Sequence, residues 1–453
     1  MTQYLDPPTN WSGIARHLGP GIIITASIVG SGELIVTPKL GSEAGFSLLW
    51  FIILGCIIKV FVQIELGRYA VAHGKTTIEA MDSMPGPRLV VSWLVWVWLF
   101  MFLSLPFQVA GMMSAIAGIV TLAGAPEQLE KLWIVAVAII TAGLLTSGRY
   151  RLVQNLSTAM VVIFTLFTAL ALLAVQRTEF HITSKQITDG LSFQMPSSFT
   201  TAFAAFGIIG VGASELIYYP YWCLEKGYAR NVGTDDGSEA WLTRARGWVH
   251  VMSTDAWLSL IVYTSATVAF YLLGAAVLFG QGKEVSDENV IPLLSELYTK
   301  SFGSSGLAIF LMGGLCVLFS TVFAATASNS RLLVDGIGVF GIKTPQSEEK
   351  RARMIKLGCV FLAFVPMVIS LSIGKVIFLV FIGALAQGLM LPFLAMAALY
   401  FRFRRNRRIA QQPERPWMFY LGAACLGFSA LCMTAVGFYQ VWVKLVPLLT
   451  YVF

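Results

Sequence analysis

The sequence predicts an all-α integral membrane protein with about eleven transmembrane helices. Three observations carry that expectation. The 453 residues are 57% hydrophobic and only 12% charged, against roughly 45–50% apolar and 25% charged in soluble domains. The apolar residues fall in long runs divided by short polar segments. The basic residues are unevenly shared between alternate connections. A mean hydropathy of +0.74 leaves no soluble core able to hide so much apolar surface. That excludes a cytosolic enzyme and a disordered chain. The net charge of +7 sits in loops between apolar runs, which is the mark of membrane topology and not of a nucleic-acid-binding patch.

A span needs about 20 mainly apolar residues. Eleven such runs are read at 19–42, 46–70, 89–122, 131–147, 152–175, 197–224, 252–280, 304–330, 356–372, 375–400 and 417–446. The first 17 residues are polar and carry Pro7 and Pro8, so no signal peptide is expected. With the N-terminus inside, 22 Lys and Arg residues fall on inner connections, 8 on outer ones, and Lys59 alone lies mid-span. This split predicts a multi-pass protein of the cytoplasmic membrane, N-terminus cytoplasmic and C-terminus outside. The basic run at 401–415 is then a cytoplasmic loop beside anionic lipid. Residues 225–251, with Trp241, Trp248, Arg244 and Arg246, read as a helix on the membrane surface or as a solvated connector.

Two segments repeat. Residues 30–38 read GSGELIVTP and residues 212–220 read GASELIYYP, identical at five of nine positions. The offset of 182 residues spans five helices. Five is odd, so the second copy crosses the membrane in the opposite sense, as in an inverted-topology repeat. Glycine and serine cluster where an apolar helix should continue, and glycine weakens a helix. Freed backbone at membrane depth persists only where it lines a cavity or is buried in protein. A carboxylate follows in each copy, Glu33 and Glu215. Intramembrane carboxylates mark function by default, and hard oxygen suits a cation. The structural alternative is that each Glu only caps orphan N–H groups of a half-helix. The candidate substrate-binding site is therefore Gly30, Ser31, Gly32 and Glu33 with Gly212, Ser214, Glu215 and Tyr218, and Gln387 of the tenth span. Glu33 and Glu215 are the candidate metal ligands.

Other polar residues within spans are weaker signals. Lys59 is expected to pair with Glu33 or Glu215, or to snorkel to an interface. Glu65 and Arg68 read as a structural ion pair. Ser320, Thr321, Thr326, Ser328 and Asn329, and Gln387 with Gly383, Gly388 and Pro392, line a pathway or hydrogen-bond between helices. Six cysteines without CxxC spacing read as small buried hydrophobes. None of the four histidines is mid-membrane. No P-loop, kinase loop or hydrolase triad is present, so neither an enzyme nor a cofactor is expected.

The stretches LGPGIIITASIVGSGELIVTPKLGSEAGFSLLW (18–50) and FGIIGVGASELIYYPYWC (206–223) resemble the first and sixth spans of the Nramp family of divalent-metal transporters. The resemblance is clear over about 18–75 and 203–230. It implies the leucine-transporter-type fold. Two inverted five-helix repeats would occupy 19–175 and 197–400, after a cytoplasmic segment 1–18 and before an eleventh span and external tail at 417–453. It also implies alternating access, usually coupled to protons. The family's first-span motif Asp-Pro-Gly-Asn falls on Gly30, Ser31, Gly32 and Glu33, so the Asp is absent. Its sixth-span motif Met-Pro-His falls on Leu216, Ile217 and Tyr218, so the thioether and the histidine are absent. Harder ligands favour Mg²⁺ or Mn²⁺ over softer ions. The segment GSGELIVTP also looks like the first span of amino-acid/polyamine carriers, whose free N–H groups receive a carboxylate. The expected partners are a small cation, the lipid bilayer and a coupling proton, with no nucleic acid. The alternatives are an amino-acid-like or other small organic solute, and a non-transporting membrane scaffold or sensor.

Overall fold

The computed structural model describes residues 4–146, 150–194, 200–342, 345–411 and 416–442. Nine helical segments among the described residues are long and apolar enough to cross a membrane. The helix Tyr150–Val175 and the broken pair Thr200–Ala205 and Ala213–Lys226 bring the set to the eleven expected. Most helices are apolar all round, as buried or lipid-facing helices must be. The chain is a multi-pass membrane protein.

The spans follow one another as the apolar runs predict. The first is Pro20–Ile28, then Ser31–Val36 as a π-helical turn, then Thr37–Ala44. Leu49–His73, Trp93–Leu122 and Glu130–Thr146 follow. After the fifth and the broken sixth come Glu239–Leu273, Gly306–Val339, Glu348–Ile373, Val376–Tyr400 and Pro416–Gln440. A hairpin of two-residue strands, Arg88–Leu89 with Val91–Ser92, precedes the third. The expected outer end of the eleventh span and the external tail run into 443–453, outside the described residues.

The first span lies at the centre, 94% of its apolar window buried, while the fourth and eleventh are 33% buried and peripheral. The tenth packs along the third, the seventh along the second, and the eighth against the fifth, ninth and third. The site is thus enclosed by helices from both halves of the chain.

Residues 225–251 form a five-residue helix, Tyr228–Val232, with two buried residues, and the first turns of the seventh span, not a helix lying on the membrane surface. Glu239–Leu273 is one continuous helix, and Trp241 and Trp248 are buried. Their indole N–H groups donate to Gly233 O (3.1 Å) and Leu5 O (2.9 Å). Indole rings that find backbone carbonyls inside the protein have no need of the interface. Sequence periodicity also missed Val290–Phe302, a helix between the seventh and eighth spans.

The Glu65–Arg68 pair is present and larger than expected. Glu65 also accepts from Arg402 (3.0 Å) and Asn406 (2.7 Å). This network ties the second span to the end of the tenth, and Arg402 continues to Phe419 O at the eleventh (2.8 Å). Buried charges persist when paired and hydrogen-bonded in this way.

Candidate functional site

Both repeated segments are helix breaks. In the first, the helix stops at Ile28, and Val29 and Gly30 are not helical. The freed carbonyls are taken by hydroxyls of the eighth span. Thr321 donates to Ala26 O (3.1 Å) and Val29 O (3.2 Å), and Ser320 to Ala26 O (3.3 Å). A side chain at Gly30 would overlap Thr321. Of the polar residues read on the eighth span, Ser320 and Thr321 therefore brace the break, and Ser328 accepts Trp222 Nε1–H (3.1 Å).

In the sixth span the helix stops at Ala205 and resumes at Ala213. Gly210 takes a positive φ of 63°, open at little cost to glycine. Lys59 is buried here and does not meet either glutamate, nor does it snorkel. Its ammonium donates to Phe206 O (2.5 Å) and Ile209 O (2.7 Å) and lies 4.4 Å from the Phe206 ring centre. A cation is favoured against carbonyls left at a helix C-terminus, and that attraction outcompetes pairing with a carboxylate whose donors are already supplied.

The two breaks touch. Gly32 faces the Ile208 carbonyl, and a Cβ there would come within 2.7 Å of it. Glu33 is fully buried and bridges the breaks. It accepts from Gly30 N–H (3.3 Å), Gly210 N–H (3.2 Å) and the Thr267 hydroxyl of the seventh span (3.1 Å).

Glu215, in the first turn of the second half-helix, is held differently. All its side-chain donors are hydroxyls: Ser214 (2.7 Å), Tyr218 (2.7 Å) and Ser27 (3.3 Å). Ser27 and Tyr218 also bond to each other. From Ser214 a chain of hydrogen bonds runs round the site. Gln387 Oε1 accepts from Ser214 N–H (3.0 Å) and lies 2.9 Å from the Ser214 hydroxyl, whose single proton it shares with Glu215. Gln387 Nε2 donates to Gln108 Oε1 (2.7 Å), and Gln108 Nε2 to Ser31 Oγ (3.1 Å). The chain joins the sixth, tenth, third and first spans. Gly212 closes it tightly, since a Cβ would meet Gln387 Oε1 at 2.5 Å.

Every candidate residue of the two segments thus lies at the breaks, with Gln387 beside them. The two carboxylates share no hydrogen-bond partner. Among the described residues no three His, Cys, Asp or Glu side chains are grouped to hold a metal. Around Glu215, however, one carboxylate, three hydroxyls and the Gln387 amide oxygen converge, and all are hard donors.

Sequence reading missed Ser27, Gln108, Thr267 and Asp255. The first three are single polar residues in apolar helices, a weak signal. Asp255 is a stronger one, a carboxylate inside the seventh span. It accepts from Gly19 N–H (3.0 Å), Gly21 N–H (2.5 Å) and Tyr219 O–H (3.1 Å). It thereby caps the first helix of the chain's first span from a helix more than 200 residues away.

A family model described as Natural resistance-associated macrophage protein-like, Nramp, matches residues 21–438. The chain belongs to the Nramp family. The match contains both breaks and every residue of the polar chain between them. The metal transporter Nramp3 of Arabidopsis thaliana is 29% identical over 90 residues, covering 20% of this chain and 18% of that protein. The aligned stretch thus spans less than a fifth of that curated relative. In structure, this Nramp-family chain is similar to the Eremococcus coleocola manganese transporter. The TM-score is 0.69 at 15% identity, over 96% of this chain and 90% of the other. It is also similar to MhsT, solved with L-phenylalanine, with TM-score 0.58 and 13% identity over 96% of this chain and all of that one. The architecture is the leucine-transporter type, with broken first and sixth helices.

Proposed function

We propose that this Nramp-family chain is a secondary transporter of a divalent cation, Mg²⁺ or Mn²⁺ ahead of softer ions, working by alternating access. The observation that carries this reading is the all-oxygen shell of Glu215, Ser27, Ser214, Tyr218 and Gln387. Hydroxyls can turn their protons away and offer lone pairs to a cation, while the carboxylate supplies charge. Glu33 holds the two breaks together through Gly30 and Gly210, so its part is positional. The expected division into inverted repeats at 19–175 and 197–400 lets one break pivot against the other. The basic split of 22 to 8 supports a cytoplasmic N-terminus and a place in the cytoplasmic membrane. Proton coupling belongs to the same proposal. The Arabidopsis relative is named a metal transporter and the Eremococcus coleocola neighbour a manganese transporter, which supports the cation class.

The test is uptake of Mn²⁺ and Mg²⁺ into proteoliposomes, with internal pH followed at the same time. Wild-type protein is expected to move the ion, and Glu215→Gln to lose that flux while remaining folded. Wild-type protein that moves neither ion overturns the reading.

A further inference from the structure

A cavity of about 880 Å³ opens at the end of the molecule where the second, sixth and eighth spans finish and the ninth begins. The basic-residue split assigns this end to the cytoplasm. Water occupies about 30 Å³ per molecule, so the space is ample for a hydrated ion. Thr76, Tyr221, Glu225, Arg331, Asp335 and Arg351 are among its walls.

Two helices lead from this cavity toward the carboxylate site. On the sixth span, Glu215, Tyr218, Trp222 and Glu225 recur at helical spacing and share one face. On the eighth, Thr321, Ser328, Arg331 and Asp335 do the same. Both helices run from the breaks to the cavity. Ten residues rise about 15 Å in each, so Glu225 and Arg331 sit at one level and Glu215 and Thr321 at another. Between these levels the faces meet in two layers. Trp222 donates to Ser328 Oγ (3.1 Å). Below it, Arg331 grips Glu225 through two nitrogens (2.5 and 3.0 Å) and lies 4.3 Å from the Trp222 ring centre. Trp222 and Ser328 are buried, and the Arg331 side chain is 6% exposed.

We propose that Trp222, Arg331 and Glu225 form the inner gate between the carboxylate site and this vestibule, held shut by the Arg331–Glu225 pair. The inference rests on the transporter reading for its purpose. The geometry is that of a plug. The indole fills the passage, and the guanidinium packs on the indole and is fixed by Glu225. While the gate is shut the Arg331 and Glu225 charges neutralise each other, and the barrier to a cation is the packed indole and guanidinium. When Arg331 releases Glu225, the passage gains a free carboxylate and the indole loses its support.

The gate can be tested without a substrate. Ser328→Cys places a thiol directly behind Trp222. A membrane-impermeant maleimide is applied from the vestibule side, and modification at position 328 is read by peptide mass spectrometry, which separates it from the native cysteines. Slow modification is expected with the gate intact. Adding Glu225→Gln keeps the volume but removes the ion pair, and the rate should rise on the order of tenfold, as loss of a charge-assisted hydrogen bond at a partly exposed site implies. Arg331→Lys, which keeps charge but loses the two-pronged grip, should give a smaller rise and serves if Glu225→Gln does not fold. Asp335→Asn, on the cavity wall and paired instead with Arg351, should leave the rate unchanged. Equal rates in all backgrounds, or an equal rise with Asp335→Asn, overturn the gate. Absence of cation flux with this labelling pattern intact overturns the transporter reading and leaves the plug in place.

Discussion

The Glu33 carboxylate accepts the Gly210 N–H at 3.2 Å, so the two helix breaks are joined by a side chain of one and the backbone of the other. The contact crosses 177 residues of sequence. It separates the two glutamates that the repeat makes look equivalent, because Glu33 accepts from the backbone N–H groups of both breaks while the side chains that donate to Glu215 are all hydroxyls.

That difference predicts unequal responses to the same substitution. Glutamine has one accepting oxygen and one donating nitrogen. In Glu33→Gln the new N–H₂ must point at Gly30 N–H or at Gly210 N–H, donors that cannot reverse. A loss of about 1–3 kcal/mol is expected. In Glu215→Gln the hydroxyls of Ser214, Ser27 and Tyr218 can turn and accept. The fold should tolerate it, and cation binding should be lost. Thermal unfolding in detergent, paired with isothermal titration, reads both. A Glu33→Gln protein as stable as wild type would show that Glu33 does not brace the breaks.

Lys59 supports the second break through Phe206 O and Ile209 O. Lys59→Met keeps the stem and removes the donor. It is expected to cost about 1–3 kcal/mol by leaving buried carbonyls unpaired. The order of preference among divalent ions should not change. A marked gain in cation affinity would mean that Lys59 neutralises the site and does not merely hold its backbone.

Asp255 caps the first span from the seventh. Asp255→Ala should lower stability by about 2 kcal/mol, the upper range for loss of a helix cap. Asp255→Asn retains one accepting oxygen and should recover part of it. An unfolding midpoint unchanged in both variants would remove the cap from the account of the first span.

Selectivity follows from ligand chemistry. The shell around Glu215 contains oxygen and no sulfur, and oxygen suits Mg²⁺ and Mn²⁺ while thiolate and thioether favour softer ions. Titration should show weak discrimination against Mg²⁺ and no preference for Cd²⁺. Cys56 lies against Gly210 at the second break and makes none of this shell's hydrogen bonds, so Cys56→Ser should leave the pattern unchanged. Strong Cd²⁺ preference that disappears in Cys56→Ser would move the cation site to the second break.

Gln108 is the link in the polar chain that periodicity could not reveal. Gln108→Leu removes the partner of both Gln387 Nε2 and Ser31 Oγ. Gln387 would then be free to leave Ser214, so the concentration for half-maximal flux should rise severalfold with the fold intact. Unaltered flux kinetics would reduce Gln108 to packing.

The sequence by itself determined the membrane class, the span positions and both breaks. These are local properties, set by which residues follow one another. An apolar run of span length must be helical in lipid, and a Gly-Ser cluster before a carboxylate weakens that helix wherever it lies. Tertiary structure decided what each polar group does. Lys59 could be placed mid-span from sequence, yet only the position of the Phe206 and Ile209 carbonyls directs it to them and away from Glu33. Trp241 and Trp248 look interfacial until residues 233 and 5 are brought within hydrogen-bond reach. Glu33 and Glu215 occupy matched positions of one motif, but Thr267 and Gly210 surround the first and Ser27 and Tyr218 the second. A buried polar group takes the nearest donor or acceptor that desolvation leaves it, and nearness between residues 177 or 236 apart is created only by packing.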